Sequence, residues 1–281
     1  MPSFLTDAFV EAVEVTAVVF VLMVVVELVN VRLQGRLTRL LIGRPRMSYV
    51  ITALLAIIPG CEGEFLTVTL YSHGALTFGA LLTCMIATTG DEGLTMLQMI
   101  PGQTAVLFVS LAVIGIVLGW IADKVWDRVG PPRAVCEELP HHPGAEGLGH
   151  FFKEHVLHHV LGKHLPRIFL WTFGALIVAN LARPYLVPDE GGVRGGLHGI
   201  ALIVVAALVG LIPSSGPHLL FVALVANGSA PISVLLANSL SQTGHGVLPL
   251  FHTSWRLVLL IKAITLVAGL TLGGLLMAAG M

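Results

Sequence analysis

The chain has 281 residues and a net charge of -1, with 56% of its residues hydrophobic and 11% charged. Soluble domains carry about 25% charged residues, so this composition excludes an ordinary soluble domain and predicts one polytopic membrane unit. The net charge says nothing about a nucleic-acid partner, but there is no basic block with interleaved aromatic residues, so none is expected. Cys61, Cys84 and Cys136 are unevenly spaced and predict no disulfide framework.

The first apolar run covers residues 8–29. At about 1.5 Å per residue it is long enough to cross a hydrocarbon core of about 30 Å. No basic flank precedes it, so we expect a membrane span and no cleavable signal. Glu11 and Glu27 lie near its ends, whereas Glu14 lies deeper. A carboxylate within a membrane is costly, which makes Glu14 a candidate for proton coupling.

Residues 31–47 hold five arginines and no acidic residue. Leu33, Leu37, Leu40 and Leu41 share one face, which predicts an amphipathic helix on the membrane surface. A loop this rich in arginine is expected in the cytoplasm, with the N-terminus outside. A short apolar helix over 48–59 is predicted to follow.

A stretch over residues 58–93 recurs 154 residues later, over 212–247, and ten of its 36 positions match without a gap. The helix-breaking residues recur as well: Pro59, Gly74 and Gly90 align with Pro213, Gly228 and Gly244 at the same offset. Each copy consists of short apolar runs between breakers and polar residues. This pattern is typical of discontinuous helices in the repeats of secondary transporters.

The other segments complete two halves around a loop. We predict a span over 104–122, a loop over 131–149, a short polar helix over 151–163, and apolar helices over 168–182, 197–211 and 257–277. The predicted domains are a first membrane repeat (1–127, core 58–93), a cytoplasmic histidine-rich loop (128–164) and a second membrane repeat (165–281, core 212–247).

The predicted fold is an all-α polytopic membrane protein with two inverted repeats. Each half has one long span, a core of broken helices and a closing span, so its number of crossings is odd. The second half then runs opposite to the first, the central loop is cytoplasmic and both termini lie outside. We expect about ten membrane segments, or fewer if the core runs re-enter.

Polar residues gather at the helix breaks, where freed backbone groups must be satisfied by protein or by a water-filled cavity. Carboxylates and imidazoles with nearby amide oxygens suit a divalent cation of intermediate hardness such as Mn²⁺. The predicted ligands are Cys61, Glu62, Glu64, Asp91, His218, Asn238 and His245. The predicted proton-coupling residues are His245, Glu14 and Glu62. Glu92 is interpreted more simply as a membrane-surface residue, and Thr88 and Thr89 as hydroxyls that bond freed carbonyls.

Several strings carry a family resemblance: PGCEGEF, GALLTCMIATTGDE, SGPHLLF, SVLLANSLSQTGHGVLPL and the arginine-rich first loop. Together they resemble a family of manganese transporters, also described as ten-segment heavy-metal exporters and grouped with arsenic efflux proteins. The resemblance covers nearly the whole chain and implies a membrane exporter. It also implies acidic residues near Ser214 and Thr243, which this chain lacks.

Seven histidines gather between His141 and His164. His155 and His159 are one helical turn apart with His158 beside them, a spacing that can chelate a divalent metal. We expect these three to collect metal weakly on the cytoplasmic side. A histidine-rich surface helix, or a pH-responsive segment, is the alternative.

The sequence therefore predicts a secondary-active exporter of a divalent metal, most favourably manganese, in the cell membrane. No GxxxxGK[ST] motif is present, so an ion gradient, with protons first, is expected to supply the energy. An exporter of an anion or organoarsenical, involving Arg256 or Lys262, is one alternative. An intramembrane enzyme is another, although no HExxH motif supports it. We expect no cofactor and no partner beyond the bilayer and the transported metal, with the oligomeric state open and a homodimer possible.

Overall fold

The computed structural model describes most of both predicted cores and the two closing spans. The described residues are 45–60, 62–72, 74, 76–129, 196–213, 216–244, 246, 247, 250 and 254–281, with scattered positions between 5 and 24 and between 166 and 181. All regular structure within them is helical, as predicted. The arginine-rich run before Pro45 and the histidine-rich loop lie outside these residues.

Among the described residues, five helices of the first half have defined bounds. They are α1 (Pro45–Ile57), α2 (Glu62–Ser72), α3 (Phe78–Ala87), α4 (Glu92–Met99) and α5 (Pro101–Val129). The second half contains α6 (Gly196–Gly210), a 3-10 turn (Gly216–His218), α7 (Leu219–Ala226), α8 (Ile232–Ser241) and α9 (Trp255–Ala278). Both cores are therefore interrupted where the sequence predicts breaks.

The backbone repeats with the same offset as the sequence. Helix α8 begins and ends 154 residues after α3, and the 3-10 turn with α7 covers the positions equivalent to α2. The φ angles recur too: Gly74 and Gly228 have values of 73° and 74°, and Gly90 and Gly244 have 57° and 56°. Glycine adopts this left-handed conformation readily because it lacks a Cβ. The shared glycines thus mark equivalent turns.

Two helix bounds differ from the predictions. Helix α1 begins at Pro45, within the run assigned to the surface helix, and α5 extends to Val129 instead of ending at 122. The apolar run covers only the part of α5 suited to lipid, whereas the helix continues through charged residues. There the Lys124 ammonium lies 3.5 Å from the centre of the Trp120 ring.

Each half packs its short central helix against its own long helix. Helix α3 lies against α1 and α5, and α8 lies against α6 and α9. Close approach depends on glycine: a Cβ on Gly119 would lie 2.4 Å from the Gly79 carbonyl oxygen, and one on Gly269 would lie 2.6 Å from that of Ala237. Small residues spaced by four permit such packing where lipid offers no hydrophobic driving force.

An acidic side chain joins three helices in the first half. Asp123 on α5 is buried, and its Oδ1 accepts a hydrogen bond from the Gly79 amide at 2.7 Å. Its Oδ2 accepts one from the Tyr49 hydroxyl on α1 at 2.6 Å. The carboxylate thus satisfies an amide in the first turn of α3, where backbone donors lack helical partners.

The long helices expose apolar side chains, whereas polar side chains are buried at the helix breaks. Helix α5 exposes Val106, Val109 and Val113, while α9 exposes Leu259 and Val267. Within the part of the chain that the structure describes, α9 and residues 101–125 of α5 are the two helices long and apolar enough to cross a membrane. The other apolar helices are shorter, as expected for broken segments.

The two halves meet along their central helices. Helix α3 contacts α8, and α4 contacts α7. Leu81, Leu82 and Met85 of α3 share one buried cluster with Leu235 and Leu240 of α8. This contact brings the helix breaks of the two halves close together.

Candidate transport site

Glu64 lies at the centre of the site, on α2, with no exposed surface. One carboxylate oxygen accepts a hydrogen bond from the Thr88 hydroxyl of the same half. The other accepts one from the Gly246 amide of the opposite half, at 2.7 Å. A buried charge requires such partners, so this carboxylate links the two halves directly.

The two glycines of the GHG motif make room for Glu64. A Cβ on Gly244 would lie 2.1 Å from Oε1 of Glu64, and one on Gly246 would lie 2.5 Å from the Glu64 Cβ. Any larger residue at either position would displace the carboxylate. The PGCEGEF and GHG strings therefore form one structural unit. The two residues that join them, Glu64 and Gly246, are 182 positions apart in the sequence.

Three helix breaks meet around this carboxylate. Within the first half, the Gly60 amide donates to the Gly90 carbonyl at 3.3 Å. Across the halves, Nε2 of Gln242 donates to the Thr88 carbonyl at 3.3 Å. Gln242 and Thr88 occupy equivalent positions, so corresponding breaks contact each other.

Further polar groups are buried at the same breaks. The hydroxyls of Thr89 and Thr243, which are equivalent positions, make no hydrogen bond with any described residue. Asp91 is 8% exposed and Glu92 is 1% exposed. The assignment of Glu92 to the membrane surface is therefore wrong, because the break turns the first residue of α4 inward. Thr88 bonds Glu64 and not a freed carbonyl, which also corrects the prediction for that hydroxyl.

Lys262 on α9 brings a buried cation to this region. Thr265, one turn further along α9, donates to the Ser241 carbonyl at the end of α8, so Lys262 lies level with the break that follows α8. Its ammonium nitrogen bonds no other described residue, and Glu64 lies close enough to act on it electrostatically. A cation is also stabilised at this place by the C-terminal end of α8.

The break after α6, in the second half, contains a different hydrogen-bond network. His218, which is 1% exposed, has Nδ1 at 3.1 Å from Oδ1 of Asn238 and Nε2 at 3.2 Å from the Ile212 carbonyl. Asn238 donates through Nδ2 to the Ala206 carbonyl at 2.8 Å. His218 and Asn238, which were predicted as metal ligands, are thus brought together in the fold.

The thiol of Cys84, within α3, is fully buried. Its Sγ lies 3.9 Å from the Gly63 carbonyl, and its neighbours include Ala53, Ala56 and Ala87. Among the described residues, no group of three or more His, Cys, Asp or Glu side chains is arranged to hold a metal. The described polar groups at the breaks are carboxylates with hydroxyl and carbonyl oxygens.

Several predicted residues cannot be placed in this geometry. Cys61, His245 and the accessory histidines His155, His158 and His159 lie outside the described residues. Glu62 is the first residue of α2, without a described side chain, and Glu14 is exposed on a helical stretch. Their predicted roles stay predictions.

The sequence interpretation missed the residues that shape the site. Gly246 and the glycines that let α5 and α9 approach their neighbours were given no role, and Lys262 was considered only for the anion alternative. The spacing of Gly115 and Gly119, repeated by Gly269 and Gly273, is a sequence signal for close helix packing. No local signal pairs Gly246 with Glu64.

Broken helices around a polar centre, enclosed by an apolar surface, define the chain as a polytopic membrane protein of the transporter class. The family described as "Putative, 10TM heavy-metal exporter" matches residues 2–181 and 194–274, which is nearly the whole chain. The chain belongs to this family, as its motifs predicted. No curated protein and no solved structure matches it.

Proposed function

We propose that this multi-pass membrane protein exports a divalent metal, most favourably Mn²⁺, in exchange for protons, through a site where the breaks of the two halves meet. The observation that carries this proposal is Glu64. A fully buried carboxylate bonded to both halves is the group that an arriving cation would contact and whose bonds it would change.

The donor set favours a hard or intermediate cation. The buried carboxylates of Glu64, Asp91 and Glu92 stand at or beside breaks that also hold the Thr89 and Thr243 hydroxyls. Carboxylate, hydroxyl and carbonyl oxygens suit Mg²⁺, Ca²⁺ and Mn²⁺, whereas soft metals prefer thiolates. The predicted histidine ligands would favour Mn²⁺ over Mg²⁺ and Ca²⁺, which is why Mn²⁺ is preferred.

Metal binding would be coupled to movement through the bonds that the metal replaces. A metal bound by Glu64 competes with the Thr88 hydroxyl and the Gly246 amide for the same oxygens. The second of these bonds crosses between the halves, so its loss would release one half from the other. Discontinuous helices in paired repeats give secondary transporters this kind of alternating access.

The ends of the long helices support inverted repeats. In α5 every charged residue lies at or after Asp123, and Arg256 lies at the start of α9. If both basic ends face the cytoplasm, α5 and α9 cross the membrane in opposite directions. This orientation agrees with the expected cytoplasmic histidine-rich loop and with a C-terminus outside.

The first experiment tests cation binding. Purified protein should show a higher melting temperature with Mn²⁺, because ligand binding to the native state stabilises it. Glu64→Gln should abolish that shift, whereas Glu190→Gln, between the predicted helices over 168–182 and 197–211, should keep it. A full Mn²⁺ shift in Glu64→Gln would contradict the proposed site.

Transport itself is tested in proteoliposomes. Mn²⁺ flux should require a pH gradient and should fall at least about tenfold in Glu64→Gln. Flux that ignores the pH gradient would remove proton exchange from the proposal while leaving metal export.

One observation favours a second candidate. The Lys262 ammonium is buried and bonds no other described residue, and Lys262 lies level with the break after α8. The Thr243 hydroxyl of that break is also buried and bonds no described residue. Such donors suit an oxyanion or organoarsenical. Stabilisation by arsenate or methylarsonate, lost in Lys262→Met, with no Mn²⁺ effect, would favour this function over metal export.

A further inference from the structure

Helices α8 and α9 pack antiparallel with a constant register. Each step of four residues forward along α9 meets a residue four positions back along α8. The contacts that define this register pair Thr265 with Ser241, Gly269 with Ala237, and Gly273 with Ser233. Continued three residues back along α9, the same register places Lys262 level with Gly244, just beyond the end of α8.

Glu64 lies against Gly244 and so shares this level with Lys262. A Cβ on Gly244 would lie 2.1 Å from one carboxylate oxygen of Glu64 and 2.2 Å from the other. The Thr88 hydroxyl and the Gly246 amide, which donate to these oxygens, are neutral groups. They satisfy hydrogen bonds of the carboxylate without balancing its charge. Glu64 and Lys262 are also close enough to interact electrostatically, in agreement with the register.

The first half shows that the position of Lys262 needs no charge for packing. The offset of 154 residues extends to the long helices, since Gly119 of α5 corresponds to Gly273 of α9. Phe108 is therefore equivalent to Lys262, and it is a core residue with only 7% of its surface exposed. An apolar side chain suits the framework at this place. A charged one in an apolar core is costly, which favours a functional reason for Lys262.

The ammonium of Lys262 is positioned to move. Of the lysine and arginine side chains that the structure describes, Lys124 and Arg256 are exposed, whereas the Lys262 ammonium is buried and bonds no other described residue. A lysine ammonium is a compact charge on a flexible stem of four carbons. The C-terminal end of α8 offers it a second favourable place beside the break, because the last helical carbonyls carry partial negative charge.

We propose that the Lys262 ammonium is an internal counter-cation, which balances Glu64 in the metal-free protein and is displaced by the transported metal. This proposal rests on the proposed function and names a residue that regulates its site. A metal bound to Glu64 repels the ammonium toward the end of α8, and the ammonium returns when the metal leaves. The empty transporter can then change its access without carrying an unbalanced carboxylate, which is costly in a low-dielectric interior.

The first test measures charge balance in metal-free protein at pH 7 by thermal melting. In the wild type, Glu64→Gln leaves the ammonium unbalanced, so it should lower the melting temperature more than it does in the Lys262→Met background. In the Lys262→Arg background, which keeps the charge, the loss should match that in the wild type. Equal losses from Glu64→Gln in the wild type and in Lys262→Met would overturn the proposal.

Asp123→Asn is the matched control for this cycle. Asp123 is also a buried carboxylate, but it bonds the Gly79 amide at the opposite end of α3 from Thr88. Its loss should therefore be the same with and without Lys262→Met. A coupling of Lys262 to Asp123 as large as that to Glu64 would show a general effect of net charge and would overturn the proposal.

The second test measures competition with Mn²⁺. Lys262→Met removes a repelling charge, so the Mn²⁺ concentration that gives half of the maximal rise in melting temperature should fall at least about tenfold. Lys262→Arg should stay near the wild-type value, as should Lys124→Met, which removes an exposed lysine. An unchanged concentration in Lys262→Met would overturn the proposal. Stabilisation by arsenate that Lys262→Met removes would also overturn it, because the ammonium would then bind an anion.

Transport distinguishes a regulating residue from a structural one. In proteoliposomes, Lys262→Met should lower the KM for Mn²⁺ and also lower kcat, because the empty transporter must return with an unbalanced carboxylate. A lower kcat with an unchanged KM would overturn the proposal. Coupling between Glu64 and Lys262 in a protein that Mn²⁺ does not stabilise would instead reject the proposed function and leave the charge balance in place.

Discussion

The two halves share one helical framework but differ in charge. Helix bounds and glycine conformations recur with an offset of 154 residues, yet no Asp or Glu follows Glu190. Positions that carry Glu64 and Asp123 in the first half carry His218 and Met277 in the second. The framework therefore depends on breakers and small residues, whereas the side chains at the breaks are free to diverge in chemistry.

Unequal chemistry gives the halves unequal tasks. The first half supplies the buried carboxylates, and the second supplies the Gly246 amide, Lys262 and the His218 network. Three sets of variants would break or sharpen this comparison.

The largest effect is expected where the halves meet. Gly228→Ala and Gly244→Ala both put a Cβ on a left-handed residue, which costs about 1–2 kcal/mol. At Gly228 the added carbon meets open space, but at Gly244 it strikes Glu64. Gly244→Ala should therefore lower the melting temperature more than Gly228→Ala does. It should also remove the rise in melting temperature caused by Mn²⁺, which Gly228→Ala should keep.

The double variant tests the cause. Adding Glu64→Ala to Gly244→Ala should recover part of the lost stability, because the carboxylate no longer collides with the new Cβ. Additive losses in a double-mutant cycle would show that Gly244 and Glu64 are not coupled.

A smaller effect should be equal in both halves. Gly119→Ala and Gly269→Ala each force a long helix away from its central helix, at about 1–3 kcal/mol or more. Gly274→Ala, also on α9, meets nothing within 4 Å and should be nearly neutral. Thermal melting of the three proteins measures the difference. Tolerance in one half alone would show that the two pairs of helices are packed differently.

The smallest effect should be confined to the first half. Tyr49→Phe removes one bond to Asp123 and should cost about 1 kcal/mol, while Asp123→Asn should cost about 1–3 kcal/mol because its amide cannot accept both bonds. Ser110→Ala, which removes a hydroxyl bonded only within α5, is the matched control. Urea or thermal melting should show a loss in the first two variants and none in the control. If Tyr49→Phe and Asp123→Asn both kept full stability, the start of α3 would not depend on its hydrogen bond to the Asp123 carboxylate.

Much of the framework could be predicted from the sequence. Proline and glycine beside polar residues favour helix ends, whereas glycines within long apolar runs remain helical, so the equivalent breaks and the helical class follow from local chemistry. Glu64 was predicted as a site residue because a carboxylate within an apolar core is costly without a partner. Helix ends were less predictable, since α5 continues through charged residues once it leaves the apolar region.

Only the tertiary structure decided which side chains meet. Glu92 looked like a surface residue because its sequence neighbours are polar, yet the turn at Gly90 directs it inward. The contact between Glu64 and Gly246, and the network of His218, join residues from separate helices. The sequence determined where the helices break because that property is local. Which breaks face each other depends on how the helices pack, and packing is a property of the whole chain.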